Sequence, residues 1–90
     1  MTPHAMLHRI RELAAVDANV RFTNHARRRM GERGILIRQA LTVLRMGIVV
    51  EGPAQNIRGN WQCTLRRFAA GAEIHVAVAI ENDVLIITVY

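Results

Sequence analysis

One histidine and two arginines repeat at a spacing that places them on one side of a helix. His25, Arg29 and Arg33 follow one another at intervals of four residues within the stretch 23–35. Because side chains at i, i+4 and i+8 lie on the same side of an α-helix, we expect the three to form one stripe. An imidazole transfers protons near neutral pH, and a guanidinium binds phosphate oxygens through paired hydrogen bonds. The pattern therefore favours chemistry on a phosphodiester, with His25 as general base or acid.

This His/Arg stripe is expected at the border of the core. Ala26, Met30 and the preceding Phe22 form a neighbouring apolar stripe, so the charged side chains should be partly shielded from water. His25 also falls in the first turn, where the positive end of the helix dipole attracts anions. A neutral imidazole there can accept a proton as a general base. Two alternatives stay open: a solvated helix face that contacts nucleic acid without catalysis, and a structural histidine.

Charge is divided unevenly along the chain. All twelve basic side chains are arginine, and the formal net charge is +5. Residues 1–47 contain nine arginines and three acidic residues, a net charge of +6, whereas residues 48–90 have a net charge of −1. Guanidinium groups match phosphate oxygens, so the basic half predicts a binding face for RNA or DNA.

Length and composition limit the class of protein. Ninety residues, 51% of them hydrophobic, predict one packed domain over residues 1–90. No apolar run is long enough to cross a bilayer, and the charged start is unlike a signal peptide, so we expect a cytoplasmic protein. Cys63 is the single cysteine, which excludes an internal disulfide and a cysteine-rich metal site. We expect no metal and no cofactor.

The elements that must position the stripe follow from apolar spacing. Helical periodicity in the first half predicts three helices, at residues 5–16, 24–32 and 37–46. Thr23 or Asn24 is the expected N-cap of the second helix, and Gly34 fits a left-handed stop after it. Shorter extended runs in the second half predict four strands, at residues 48–51, 61–68, 73–80 and 84–90.

Short links between these strands predict antiparallel neighbours. The last two strands are expected to form a hairpin through Glu81-Asn82-Asp83, and residues 20–22 are extended enough for a further short strand. Helices first and strands after them predict an α+β fold, with the helices packed on one face of an antiparallel sheet of about four strands.

The stretch that carries the stripe resembles the opening motif of a protein family. Members of domain-of-unknown-function family 4258 (DUF4258) typically begin with Ser/Thr-x-His-Ala-x-x-Arg-Met-x-x-Arg-Gly-Ile, and this chain has Thr23-x-His25-Ala26-x-x-Arg29-Met30-x-x-Arg33-Gly34-Ile35. Its later landmarks also resemble those of the family, at Gly47 and Thr88-Val89-Tyr90. The resemblance covers residues 20–90 and leaves residues 1–19 as an extra N-terminal helix. Leu36 departs from the family, which often has a Ser, Thr or Asp cap there.

The resemblance has implications for fold and partners. The family is similar to RelE/ParE-like toxins of bacterial toxin–antitoxin pairs, whose wider fold group includes metal-independent ribonucleases. It thus implies a RelE/barnase-like fold, with helices on a curved antiparallel sheet and RNA bound across the sheet and its flanking helix. It also implies a cognate antitoxin protein as partner. ParE-like members act on gyrase, so a protein target remains an alternative.

The favoured hypothesis is a toxin-type, metal-independent endoribonuclease. His25 would be the general base or acid, while Arg29 and Arg33 would hold the scissile phosphate and stabilise charge in the transition state. No cofactor is required. The alternative is a non-catalytic module that binds nucleic acid or protein with the same surface. Further contacts to the RNA are assigned to Arg28, Arg66 and Arg67, with Thr88 and Tyr90 as secondary contacts.

Overall fold

The computed structural model describes residues 1–69 and 71–89, without the side chain of residue 69. In it, three helices and a short strand occupy the first half of the chain, and longer strands occupy the second half. A 3₁₀ turn at Asp17–Asn19 separates the first helix from the first strand. The helices are α1 (Pro3–Ala14), α2 (Asn24–Arg33) and α3 (Ile37–Met46). The strands are β1 (Val20–Phe22), β2 (Ile48–Gln55), β3 (Trp61–Ala69), β4 (Ala72–Glu81) and β5 (Val84–Val89).

All five strands form one sheet, in the order β1-β5-β4-β3-β2. β2 to β5 are antiparallel to their neighbours, and the predicted hairpin between β4 and β5 is confirmed. Asn82 and Asp83 both have positive φ, the backbone conformation of the two central residues of a type I′ turn. The α+β class is confirmed, but the sheet has one strand more than expected and is mixed, because β1 runs parallel to β5.

β2 continues past residue 51, where the predicted strand ends, and includes the Gly52-Pro53 pair. The strand lies at the edge of the sheet, where proline removes no hydrogen bond from a second neighbour. Pairing with β3 resumes after two irregularities, and Ala54 and Gln55 lie opposite Gln62 and Trp61. The edge position thus explains why the strand, Ile48–Gln55, is four residues longer than the predicted strand at residues 48–51.

The core lies between the helices and one face of the sheet. α1 packs against α3, β2 and β5, whereas α2 packs on β5 and α3 on β3 and β4. The buried side chains on the helices are Met6, Ile10, Leu13, Ala14, Ala26, Met30, Ala40, Val43 and Leu44. Those on the sheet include Leu65, Ile74, Val76, Val78, Leu85, Ile87 and Val89.

The two faces of the sheet differ in their exposure to solvent, and Cys63 lies on the buried face. Cys63 is 5% exposed, and burial raises the pKa of its thiol to about 11, so it stays protonated and unreactive at neutral pH. On the other side of the sheet, which we call the open face, the described side chains are half-buried or exposed apart from Thr64. None of the described helices is long and apolar enough to span a membrane.

Thr23 joins the start of α2 to the sheet. Its hydroxyl oxygen accepts a hydrogen bond from the Ala26 backbone N–H at 3.0 Å, which is the predicted N-cap. The same hydroxyl donates to the Ile87 carbonyl oxygen at 3.1 Å, and the Thr23 backbone N–H donates to that oxygen as well. The helix that carries His25 is therefore fixed to β5 at its first turn.

Thr23→Val is expected to lower the free energy of unfolding by about 1–2 kcal/mol, because the Ala26 N–H loses its cap and the bond to Ile87 is lost. Thr2→Val is the matched control, since the Thr2 hydroxyl caps α1 through a single bond to Ala5 at 3.0 Å, at an exposed position. Urea unfolding of both variants measures the difference. A loss at Thr23 no larger than that at Thr2 would contradict the docking role.

Candidate nucleic-acid interface

Several arginine side chains hold the fold together. Arg9 forms ion pairs with Glu12 on its own helix and with Asp83 in the β4–β5 turn. These two hydrogen bonds raise the pKa of Arg9, that to Glu12 most. Arg11 donates to the Gly47 carbonyl oxygen at 3.2 Å. The contacts of Arg9 with Asp83 and of Arg11 with Gly47 connect α1 to the β4–β5 turn and to the end of α3. These two arginines therefore stabilise the fold.

Arg45 and Arg67 have similar structural contacts. Arg45 donates to the Ala14 carbonyl oxygen at 2.8 Å and to the Asp17 carboxylate at 2.6 Å. Arg67 lies on the helix side of β3 and donates to the Met46 carbonyl oxygen at 3.3 Å, at the last residue of α3. The expected RNA contact of Arg67 thus competes with a contact that the fold already makes.

The other arginines are less engaged. Arg29 is 3.9 Å from the Glu32 carboxylate, and Arg66 is 3.6 Å from Glu73. Six side chains form no salt bridge or hydrogen bond within residues 1–69 and 71–89: Arg21, Arg27, Arg28, Arg33, Arg38 and Arg58. Three of these six belong to α2, so the fold leaves most of the charge of this helix uncompensated.

His25, Arg29 and Arg33 lie along one flank of α2. The helix spans all three residues, and Ala26 and Met30 beside them are 0% and 5% exposed. The expected shielding holds for Arg29, whose side chain is 35% exposed; His25 and Arg33 are exposed. The flank is therefore open to a large ligand along its length.

The electrostatics of α2 favour an anion at its start. His25 is the second residue of the helix, and the first turn contains no acidic side chain. The helix dipole places partial positive charge at this end. Arg28 is exposed on the side away from the core, while Arg27 lies on the opposite flank and borders a cavity with Leu36 and Ile37. Arginines thus lie on each solvent-facing side of α2, and Glu32 is its one acidic side chain.

The remaining predicted contacts lie on the open face of the sheet. Arg66 is opposite His75 and Thr88 is opposite Ala77 in the strand register. Both are separated from α2 by the sheet itself, so the predicted residues form two groups rather than one. Tyr90 lies outside the residues that the structure describes.

The family model for Domain of unknown function (DUF4258) matches residues 22–90, which include α2, α3 and β2 to β5. The chain belongs to the DUF4258 family. The DUF4258 region begins at the last residue of β1 and leaves α1 outside it, two residues from the predicted boundary. No curated protein was found to match the chain.

In the DUF4258 chain, the predicted residues on α2 and those on the open face approach each other at the end of the sheet where β4 begins. A cavity of about 340 Å³ lies there, and it is bordered by Arg33, Gln39 and Glu73 among others. Glu73 also contacts Arg66 on the open face. A ligand bound along the α2 flank can therefore reach the open face around this end of the sheet.

A polar cluster on the open face was not predicted. The Glu73 carboxylate lies 3.6 Å from Arg66 and 3.4 Å from the His75 Nε2 atom. The His75 side chain is 39% exposed. The signal was the two-residue spacing of Glu73 and His75, which puts both on one face of β4. Among the described residues of the DUF4258 chain, no group of three or more His, Cys, Asp or Glu could hold a metal ion.

Proposed function

We propose that this DUF4258 protein is a toxin-type, metal-independent endoribonuclease that binds RNA through α2. The observation that carries the proposal is the concentration of charge on this helix. Four of its ten residues are arginine and one is acidic. Three of the four arginines have no partner among the described residues, so a phosphate would replace only water around them.

The binding step follows from this difference between the arginines. A guanidinium that already pairs with a carbonyl or carboxylate must break that contact before it binds phosphate. Arg27, Arg28 and Arg33 need to break none, and each can form paired hydrogen bonds to phosphate oxygens. This difference supports phosphate binding by α2 rather than by Arg9, Arg45 or other structural arginines.

The cleavage step rests on the flank of His25, Arg29 and Arg33. RNA carries its own nucleophile, the 2′-hydroxyl, which attacks the adjacent phosphorus and expels the 5′ oxygen of the next nucleotide. His25 would accept the 2′-hydroxyl proton or donate one to the leaving oxygen. Arg29 and Arg33 would stabilise the negative charge that increases on the phosphate oxygens in the transition state. No metal takes part in this scheme, and DNA, which lacks the 2′-hydroxyl, is not cut.

The proposal extends to location and regulation. An endoribonuclease of this type acts on cytoplasmic RNA and harms its host. A cognate antitoxin that covers the basic face of α2 is therefore part of the proposal, as is a relationship to RelE/ParE-like toxins.

One observation favours a second candidate, a non-catalytic RNA-binding module. Within residues 1–69 and 71–89 no side chain forms a hydrogen bond with His25, whereas a catalytic histidine is commonly oriented by a partner. Binding is common to both candidates, and cleavage separates them.

RNA affinity should fall steeply with salt, because each phosphate contact releases counterions and contributes a log–log slope of roughly −0.7 on single strands. When Arg27, Arg28 and Arg33 are all changed to Gln, the log–log slope of affinity against salt should become less steep by about 2. Fluorescence anisotropy with a labelled single-stranded RNA, from about 50 to about 200 mM NaCl, measures both slopes.

Arg58→Gln is the matched control for this experiment. Arg58 is exposed in the link between β2 and β3 and has no partner among the described residues, like the α2 arginines. Its removal should leave the slope unchanged. An affinity that does not depend on salt, or an equal effect of Arg58→Gln and the triple variant, would disprove binding through α2.

A further inference from the structure

An amphipathic cavity lies where the end of α3 meets β2, β3 and β4. Its volume is about 230 Å³, and we call it the Phe68 cavity. Three large apolar side chains border it although each is well exposed: Phe68 at 69%, Met46 at 56% and Ile48 at 52%. Single exposed apolar residues are ordinary, but a group around one concavity marks a binding surface.

Charged side chains also border the cavity and limit which ligands can bind there. Arg66, Arg67 and Glu73 line it, and the ion pair of 3.6 Å between Arg66 and Glu73 holds a donor and an acceptor beside the Phe68 ring. A phosphate or other anion would have to displace Glu73 from Arg66 and the Met46 carbonyl oxygen from Arg67, because both guanidinium groups already have these partners. A purely apolar ligand would remove the charged pair from water without giving it a partner, which is costly. The ligand that fits both borders has a flat apolar face and a polar edge.

We infer that the Phe68 cavity binds one unstacked nucleobase of the RNA, as a subsite additional to the phosphate contacts of α2. The inference rests on the proposed RNA binding. The base stacks on the Phe68 ring, since aromatic side chains bind bases of every type through their flat faces. Its polar edge meets Glu73 and Arg66.

The path between the two surfaces is continuous. Arg33 borders the cavity of about 340 Å³ beside α2, and Glu73 borders both that cavity and the Phe68 cavity. An RNA strand whose phosphate is bound at Arg33 can therefore continue past Glu73 and place a following base on Phe68. This arrangement uses the open face of the sheet as well as the helix.

The chemistry of Glu73 also selects among bases. An ionised carboxylate only accepts hydrogen bonds. Cytosine, adenine and guanine present an amino group on their pairing edge, whereas uracil presents one N–H between two carbonyl oxygens that the carboxylate repels. We therefore expect bases with an amino group to bind better than uracil, and Glu73→Gln to reduce this preference.

The decisive experiment compares two probes of equal length, a single-stranded RNA of mixed sequence and the same backbone without bases. Phe68→Ala should weaken binding of the base-containing RNA roughly tenfold, the effect of losing one stacked base. It should leave binding of the abasic backbone unchanged. Ile57→Ala is the matched control, because Ile57 is fully exposed and lies in the β2–β3 link; it should change neither.

The outcomes separate this inference from the proposed function. An unchanged affinity of Phe68→Ala for the base-containing RNA, or an equal loss on both probes, overturns the subsite but leaves salt-dependent binding through α2 intact. Failure of the wild-type protein to bind either probe removes both. Phe68→Leu keeps an apolar side chain without a ring, so it retains the fold if Phe68→Ala does not. A Phe68→Leu variant with wild-type affinity for both probes also overturns stacking.

Discussion

His25→Ala is expected to lower the rate of RNA cleavage by a factor of about 10²–10⁴, the usual contribution of a group that transfers a proton. The side chain is exposed and makes no hydrogen bond within residues 1–69 and 71–89, so its removal should leave the melting temperature unchanged. Arg29→Ala should lower the rate by a similar factor through loss of transition-state stabilisation. Cleavage of a mixed RNA pool in the presence of EDTA, together with the melting temperature of each variant, provides the measurement.

Two controls keep this result interpretable. His8→Ala removes another exposed histidine, on α1 and outside the DUF4258 region, and should have wild-type activity. Arg27→Ala, on the opposite flank of α2, should lower the rate of RNA cleavage much less than Arg29→Ala. Full activity of folded His25→Ala would end the catalytic assignment of His25. Absence of cleavage by the wild-type protein would favour a binding module, and loss of wild-type activity in EDTA would indicate a metal. If activity falls only in proportion to the folded fraction, the stripe is structural.

Gly47→Ala should lower the free energy of unfolding by about 3 kcal/mol, because the added methyl group meets rigid backbone. An added Cβ would lie 2.5 Å from the Val43 carbonyl oxygen and 3.0 Å from the Arg66 carbonyl oxygen. Neither oxygen can turn away as a flexible side chain would, since one belongs to the end of α3 and the other to β3. Urea unfolding of the variant measures the loss.

Gly31→Ala is the matched control for the same change of residue. Gly31 lies within α2 and an added Cβ would have no neighbour within 4 Å. Alanine there should raise the free energy of unfolding by about 0.5–1 kcal/mol, because it favours the helix over the unfolded chain. Equal effects of the two substitutions would mean that the close approach at Gly47 carries no energetic weight.

Local signals in the sequence were sufficient for most of the fold. The cap at Thr23 and the left-handed Gly34, with φ of 67°, bound α2 where they were predicted. The pair Asn82-Asp83 likewise forms the expected turn. The parallel pairing of β1 with β5 was not predictable in the same way. A three-residue strand has too short a pattern to reveal its partner, and that partner lies more than sixty residues away along the chain.

Only part of the candidate site could be predicted, because sequence spacing does not show contacts between distant elements. Helical spacing identifies which α2 residues share a flank. It does not show that Arg9, Arg11 and Arg45 use their charge to connect elements, so the excess charge of the first half overstates the basic surface. Arg66 and Arg67 were grouped as RNA contacts, yet alternation along β3 puts them on opposite faces of the sheet.

The pairing of β1 with β5 links the formation of α2 to the progress of translation. Thr23 docks on the Ile87 carbonyl oxygen, 64 positions further along the chain. A helix of ten residues is marginal in water without tertiary contacts. While the ribosome still holds residues 84–89, α2 has no strand to dock on. The basic helix therefore becomes a rigid surface only after nearly all of the domain has been synthesised, which keeps a partly made chain from presenting it.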